Sequence, residues 1–214
     1  MSKKIKIIPS ILSKNKAEFT KHFKKISPYF NYVQIDIMDG QFVKEKNSIT
    51  PDVVQYLTKK HNLEIHLMVD GVSKYVTRWV KLKNVKKIIW HYEANTDHDR
   101  ILAINKFLKA KKIKTGLAIN PNTPLYKIKD LIKYFDTIQV MGVTPGKQGQ
   151  RFQPKSLKKI KALRSKYPKL NIEVDGAVNE QTFPAIKYAG ANIVCPGSYF
   201  QKSKNIKESL KKIA

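Results

Sequence analysis

The chain has 214 residues, and 42 Lys and Arg against 16 Asp and Glu give it a formal charge of +26. Hydrophobic residues make up 42% and aromatic residues 10%, which excludes a disordered or low-complexity chain. We expect no membrane span and no signal peptide, because the apolar runs are too short for either. A lone cysteine, Cys195, fits a reducing compartment. These features predict a cytoplasmic protein that forms one domain over residues 1–214.

Eight apolar runs rich in Ile and Val are predicted as strands: residues 4–8, 32–38, 63–69, 85–92, 114–120, 136–143, 171–175 and 192–195. Segments with helical period lie between them, as at Phe19, Phe23 and Ile26. From Ile5 to Asn192 there are 187 residues over seven intervals, about 27 per strand–helix unit, which suits parallel crossovers. The pattern favours the α/β class and a single (β/α)8 TIM barrel. A doubly wound sheet is less favoured, since no G-x-G-x-x-G follows the first strand.

The positive charge is carried almost entirely by lysine. Only four of the 42 cationic residues are arginine, whereas specific readers of nucleic acid favour the bidentate guanidinium group. The lysines are also dispersed along predicted helices. We therefore expect a solvated exterior and no specific nucleic-acid partner, with a weak, salt-sensitive affinity for polyanions left open.

Two carboxylates stand out because they lie in otherwise apolar strands. Asp36 and Asp175 fall near the ends of the second and seventh strands, where the active site of a barrel forms. Burying a carboxylate is costly unless it is paired or bound to a metal. Two acids on opposite sides of a substrate suit the removal and return of a proton, which is epimerisation. His66 is a candidate metal ligand at a similar height, whereas His91 is interpreted as structural.

Two further groups complete the predicted site. Met38, Met68 and Met141 are expected to be barrel filling or an adaptable cover over a small substrate. Glycine-containing segments 146–149, 176–177 and 197–198 follow the last three strands. Backbone N–H groups can approach an anion there, so we predict a phosphate site.

The motifs IIPSIL (7–12), QIDIMDGQFV (34–43), IHLMV (65–69), AINPNTP (118–124), VMGVTPGKQGQRF (140–152), IEVDGA (172–177) and PGSYF (196–200) resemble the ribulose-phosphate 3-epimerases. The resemblance implies interconversion of D-ribulose 5-phosphate and D-xylulose 5-phosphate with a divalent metal, often zinc. It implies that Asp36 and Asp175 are the acid and base, that they bind metal with His66, and that Ser10 and His66 touch the substrate. Met38 and Met141 would lie beside it. The phosphate end would meet Gly146, Lys147, Gln148, Gly149, Gly176, Ala177, Gly197 and Ser198.

The chain departs from the family pattern at three places. Gln34 replaces a metal-binding histidine, the loop at residues 145–150 reads PGKQGQ, and Lys44 to Asn47 replace the usual segment after the second strand. A carboxamide oxygen is a poorer zinc ligand than imidazole, so we expect a weakly bound ion with Gln34 as a weak fourth ligand. The alternatives are a D-allulose-6-phosphate 3-epimerase and a non-catalytic paralogue that binds sugar phosphates or polyanions. A homo-oligomer is left open.

Overall fold

The computed structural model describes residues 5–214. Its strands are β1 (Lys6–Ile7), β2 (Ser10–Ile11), β3 (Tyr32–Met38), β4 (Asn62–Met68), β5 (Val85–His91), β6 (Lys114–Ile119), β7 (Thr137–Met141), β8 (Asn171–Asp175) and β9 (Ile193–Cys195). Its helices are α1 (Lys16–Ile26), α2 (Pro51–Val54), α3 (Val72–Trp79), α4 (His98–Ala110), α5 (Lys155–Lys166), α6 (Phe183–Ala189), α7 (Ser198–Lys202) and α8 (Ile206–Lys212). Short 3-10 turns lie at Tyr92–Ala94, Leu125–Ile128 and Ile132–Tyr134.

The first predicted strand, residues 4–8, corresponds to β1, and the chain continues past Pro9, which cannot donate a hydrogen bond, into the short strand β2 that was not predicted. β1 pairs with β9 and β2 pairs with β3, all in parallel. The Ile8 N–H donates to Val194 at 2.9 Å, and the Gln34 N–H donates to the Pro9 carbonyl at 2.9 Å. β1 and β2 therefore bond to neighbours on opposite sides and close the sheet into a TIM barrel, as predicted. Lys4, the start of that predicted strand, lies outside the described residues.

An apolar layer lies between the barrel and its helices. Alternate strand residues such as Ile35 and Leu67 join helix residues such as Phe19 and Leu108 in one continuous core. The residues between them point to the other face of the sheet, inside the barrel. Because both faces are buried, the strands are apolar enough to be recognised in the sequence.

The barrel interior holds charged side chains toward the amino-terminal ends of its strands. Glu64 on β4, Lys87 on β5 and Glu173 on β8 are all buried. The Lys87 ammonium contacts the carboxyl groups of both glutamates and lies 2.5 Å from Glu173 Oε2. The Cys195 thiol donates to Glu173 Oε1 at 3.1 Å. An ion cluster therefore links β5 to the far side of the barrel.

Local signals set the helix ends. The Asn15 side chain accepts from the Glu18 N–H at 3.1 Å at the start of α1, and Pro51 occupies the first turn of α2. Gly190 ends α6 with φ of 106°, a conformation that favours glycine. Within residues 5–214, no helix combines the length and the apolar character that a membrane crossing needs.

Candidate active site and metal centre

Asp36, His66 and Asp175 converge at the carboxyl ends of their strands. Register places Asp36 beside His66 on the adjacent strands β3 and β4, while Asp175 comes from β8. His66 Nδ1 lies 3.0 Å from Asp36 Oδ1 and 3.1 Å from Asp175 Oδ2. Candidate ligand atoms of the three side chains lie within 4.8 Å of one another. The structure therefore brings together a carboxylate–histidine set that can hold a metal ion.

Gln34 lies at the centre of this set, two residues before Asp36 on the same face of β3. Its Nε2 donates to Asp36 Oδ1 and to Asp175 Oδ2, each at 2.9 Å, and lies 3.5 Å from His66 Nδ1. Gln34 Oε1 is buried with no partner among the described residues. Because the two amide atoms are interchangeable by rotation, Gln34 could present its oxygen to a cation held by Asp36, His66 and Asp175.

Charge and burial make the cluster electrostatically demanding. Burial and the charge of Asp175 raise the pKa of Asp36 to about 6, although hydrogen bonds from His66 and Gln34 oppose the rise. Burial lowers the pKa of His66, but the hydrogen bonds and charges of Asp175 and Asp36 outweigh it and raise the value to about 10. A positive charge is thus strongly favoured between the two carboxylates. A divalent cation fits this donor set, with two anionic oxygens, one imidazole nitrogen and one available amide oxygen.

A cleft opens above the carboxylates. It brings together most of the residues predicted to meet the substrate, and its walls include Ser10, Asp36, Met141, Gly146, Lys147, Gln148, Gly149, Asp175, Gly176, Ala177, Gly197 and Ser198. Gly197 is needed for space, because a Cβ there would lie 2.6 Å from Ser10 Oγ and 2.8 Å from Gln148 Nε2. The carboxylates and the glycine segments therefore face one cavity.

Two residues predicted to contact the substrate, His66 and Met38, do not line this cleft. His66 has no exposed surface, so it lies beneath the cleft and meets it through Asp36 and Asp175. Met38 packs with Met68 and Val43 beside the cleft. Of the three methionines, Met68 and Met141 line the cavity itself.

Several polar residues under the site were missed in the sequence. Gln139 Nε2 lies 3.1 Å from His66 Nε2, and His91 Nε2 lies 2.9 Å from the same atom. His91, interpreted as structural, therefore contacts a candidate metal ligand directly. Glu93 follows two residues later and lies 3.4 Å from His91 Nδ1. The sequence HYEA at residues 91–94 has polar residues at alternate positions where a predicted strand ends, and this pattern could have indicated that His91 and Glu93 point toward the site.

Solved structures with a similar fold are enzymes built on TIM-like barrels. The chain superposes on 3-keto-L-gulonate-6-phosphate decarboxylase from Vibrio cholerae with a TM-score of 0.72 and 12% identity, covering 99% of this chain and 95% of that one. The tryptophan synthase complex of Pyrococcus furiosus gives 0.71 and 15% identity, covering 100% and 99%. At such identities the likeness establishes the fold alone.

The family follows from sequence comparison. The family model described as "Ribulose-phosphate 3 epimerase family" matches residues 6–201. Proteins named ribulose-phosphate 3-epimerase from Schizosaccharomyces pombe (34% identity, 90% of this chain and 85% of that protein) and Bacillus subtilis (31%, 98% and 98%) are similar over most of their length. The cytoplasmic isoform of Oryza sativa is 35% identical, covering 90% of this chain and 86% of that protein. The chain belongs to the ribulose-phosphate 3-epimerase family and is an epimerase of the isomerase class.

Proposed function

We propose that this epimerase interconverts D-ribulose 5-phosphate and D-xylulose 5-phosphate by proton transfer at C3. The observation that carries the proposal is a pair of carboxylates that lies in the same cleft as the glycine segments. Each carboxylate has one oxygen, Asp36 Oδ1 or Asp175 Oδ2, engaged by Gln34 and His66. Hydrogen bonds within the described chain leave the second oxygen of each free for the substrate.

The reaction needs one group to remove the C3 proton and another to supply a proton on the opposite face. One of Asp36 and Asp175 takes the proton beside the C2 ketone, which leaves an enediolate, and the other protonates its far side. In the reverse direction the roles exchange. Met68 and Met141 supply apolar wall beside the carboxylates, which limits water near the enediolate.

Gln34, Asp36, His66 and Asp175 are the residues proposed to hold a divalent metal, for which zinc is the candidate. When bound, such an ion stabilises negative charge that develops on the substrate oxygens. The chain's own part is to aim two carboxylates at C3 and to orient them through His66 and Gln34.

The phosphate end is proposed to lie against Gly146 to Gly149, Gly176, Ala177, Gly197 and Ser198. These residues line the same cleft as the carboxylates, so a bound phosphate would fix the position of C3 between the two acids. We also propose that the enzyme works in the cytoplasm, which the name of the rice relative and the buried free thiol of Cys195 support.

Steady-state kinetics with D-ribulose 5-phosphate and with D-allulose 6-phosphate test the proposal. Asp36→Asn and Asp175→Asn should each lower kcat by about 10²–10⁴-fold, the usual contribution of a general acid or base. Asp130→Asn, the same change at an exposed position, is the matched control and should keep wild-type rates. A higher kcat/KM for D-allulose 6-phosphate than for D-ribulose 5-phosphate would overturn the substrate assignment. No turnover of either compound would indicate the non-catalytic alternative.

A further inference from the structure

The amino-terminal end of the barrel, opposite the candidate active site, carries an unbalanced positive charge. Within residues 5–214, seven connections lead at this end from a helix or 3-10 turn into the next strand: residues 27–31, 55–61, 80–84, 111–113, 135–136, 167–170 and 190–192. They hold seven lysines and a single acid, Asp136, which gives a net charge of +6. The Asp136 carboxylate is already engaged, because it accepts from the N–H and the hydroxyl of Thr115 at 2.8 and 3.2 Å.

The elements that border these connections add to the charge. The last turns that precede them contribute Lys24, Lys109, Lys133, Lys166 and Lys187, and the first residues of β1 and β6 are Lys6 and Lys114. The helix dipole favours a cation in a last turn, but the lysines of the connections and strand starts lie outside any helix. In the described part of the chain, the ion pairs between lysine and carboxylate involve Lys87 and Lys212 and none of the lysines at this end. Their charges are therefore available to an anionic partner.

Exposed aromatic side chains collect at the same end of the barrel. Among the described residues six large hydrophobic side chains are exposed, and five of them lie here: Tyr29, Tyr56, Phe107, Tyr134 and Tyr188. Tyr56 and Tyr188 are the most open, at 73% and 85% exposed. The Lys59 ammonium lies 5.4 Å from the centre of the Tyr56 ring, and Phe107 and Tyr134 have lysine neighbours at similar distances. Flat rings and cations are thus presented to solvent side by side.

This combination suits a single-stranded nucleic acid. Lysine neutralises phosphates, and aromatic side chains stack on unpaired bases of any sequence. The use of lysine in place of arginine fits binding that does not read sequence. A lipid surface fits less well, because proteins that lie on a membrane bury a continuous apolar face in it. The exposed large hydrophobic side chains of residues 5–214 are instead five tyrosines and one phenylalanine.

We propose that the amino-terminal end of the barrel is a binding surface for single-stranded nucleic acid, without sequence specificity. Asp36 and Asp175 lie at the carboxyl ends of β3 and β8, so the surface and the candidate active site use opposite ends of the same strands. Nucleic acid and ketose phosphate can therefore bind at the same time. The inference does not depend on the proposed reaction.

Fluorescence anisotropy with a labelled oligothymidylate of about 20 nucleotides tests the role of the lysines. We expect a Kd of about 1–100 μM at physiological salt, which weakens as salt rises. The triple variant Lys59→Gln/Lys111→Gln/Lys133→Gln should reduce the slope of log Kd against log salt by about 2, because each phosphate contact contributes about 0.7. The matched control makes the same change at three exposed lysines in the first turns of α1, α3 and α5, and should keep the slope: Lys16→Gln/Lys74→Gln/Lys158→Gln.

A second set of variants tests the aromatic residues without changing the charge. Tyr56→Ala and Tyr188→Ala should each weaken binding of the oligonucleotide about fivefold or more, because each removes a ring on which a base stacks. Tyr126 is 68% exposed in the 3-10 turn that follows β6, away from the other five. Tyr126→Ala is therefore the matched control and should bind as the wild type does.

Each variant should keep the wild-type Tm, since the changed side chains are exposed, so that a loss of binding does not come from unfolding. Equal losses in the two triple variants would show that binding reports net charge alone, and would overturn the proposal. Wild-type affinity in both Tyr56→Ala and Tyr188→Ala, or no binding by the wild type at low salt, would also overturn it. Binding to vesicles that contain phosphatidylserine but not to the oligonucleotide would assign the surface to a membrane instead.

Discussion

Two glutamates share one ammonium in the barrel interior, and this leaves one carboxyl group without a charge to balance. Burial and the charge of Glu173 raise the pKa of Glu64 well above its ordinary 4.5, although Lys87 opposes the rise. Burial also raises the pKa of Glu173, but Lys87 and the thiol of Cys195 lower it further than burial raises it. The cluster therefore favours a proton on Glu64 and a negative charge on Glu173, beside the charged Lys87.

Glu64→Gln should stabilise the protein at neutral pH. In the unfolded chain Glu64 is ionised at pH 7, so folding must return a proton to it. That costs about 1.4 kcal/mol for each pH unit between 4.5 and the raised pKa of Glu64 in the folded protein. Glutamine is an uncharged isostere that needs no proton. Allowing for a weaker hydrogen bond to Glu173, we expect a gain of about 1–3 kcal/mol, or roughly 2–12 °C in Tm.

The pH dependence gives the sign of the effect. Since the folded-state pKa of Glu64 is raised, the wild type loses stability as pH rises above 4.5, and Glu64→Gln does not. The difference in unfolding free energy between them should grow by about 1.4 kcal/mol per pH unit above pH 5, until the pH reaches the raised pKa of Glu64 in the folded protein. Urea unfolding at several pH values measures it.

Matched variants in the same cluster should behave differently. Glu173→Gln removes the carboxylate bonded to Cys195 and should lose about 1.5–3 kcal/mol at pH 7. Lys87→Met leaves two carboxyl groups without a cation and should lose about 3–5 kcal/mol. If Glu64→Gln is instead less stable than the wild type at pH 7, or if the difference does not change with pH, Glu64 is ionised and the reasoning is wrong.

Two further predictions concern the site. Gln34→His should raise zinc affinity about tenfold or more, with activity rising most in metal-poor buffer, because imidazole is the better ligand. Chelator competition measures the affinity, Gln34→Leu is the control that should lower it, and equal affinities would show that residue 34 does not reach the ion. Gly197→Ala should raise KM about tenfold, or about 1.4 kcal/mol, since its Cβ would crowd Ser10 Oγ and Gln148. An unchanged KM would place the phosphate elsewhere.

The fold was predictable because its signals are local. Regular spacing of apolar runs gave the eight units, and Asp36 and Asp175 stood out as acids in apolar strands. The short strand β2 after Pro9 was not predicted, because pairing on both sides of a proline depends on closure of the barrel. The assignment of residues 1–214 to one domain stays a prediction.

The polar interior could not be predicted for a related reason. Glu64, Lys87 and Glu173 each look like an isolated charge in its own strand, and only the register across a closed barrel brings them together. The same holds for His91, whose contact with His66 depends on the pairing of two neighbouring strands. Contacts between distant segments decide these roles, and a single sequence does not display them.

Transfer of hydrogen at C3 in D₂O tests the two-carboxylate mechanism most directly. If Asp36 and Asp175 act from opposite faces, the first D-xylulose 5-phosphate formed from unlabelled D-ribulose 5-phosphate should carry solvent deuterium at C3. The substrate's own hydrogen should be lost to the other carboxylate. Mass spectrometry of the product after less than one turnover measures this. A product that retains the original C3 hydrogen would contradict the mechanism, because one group would then have removed and returned the same proton.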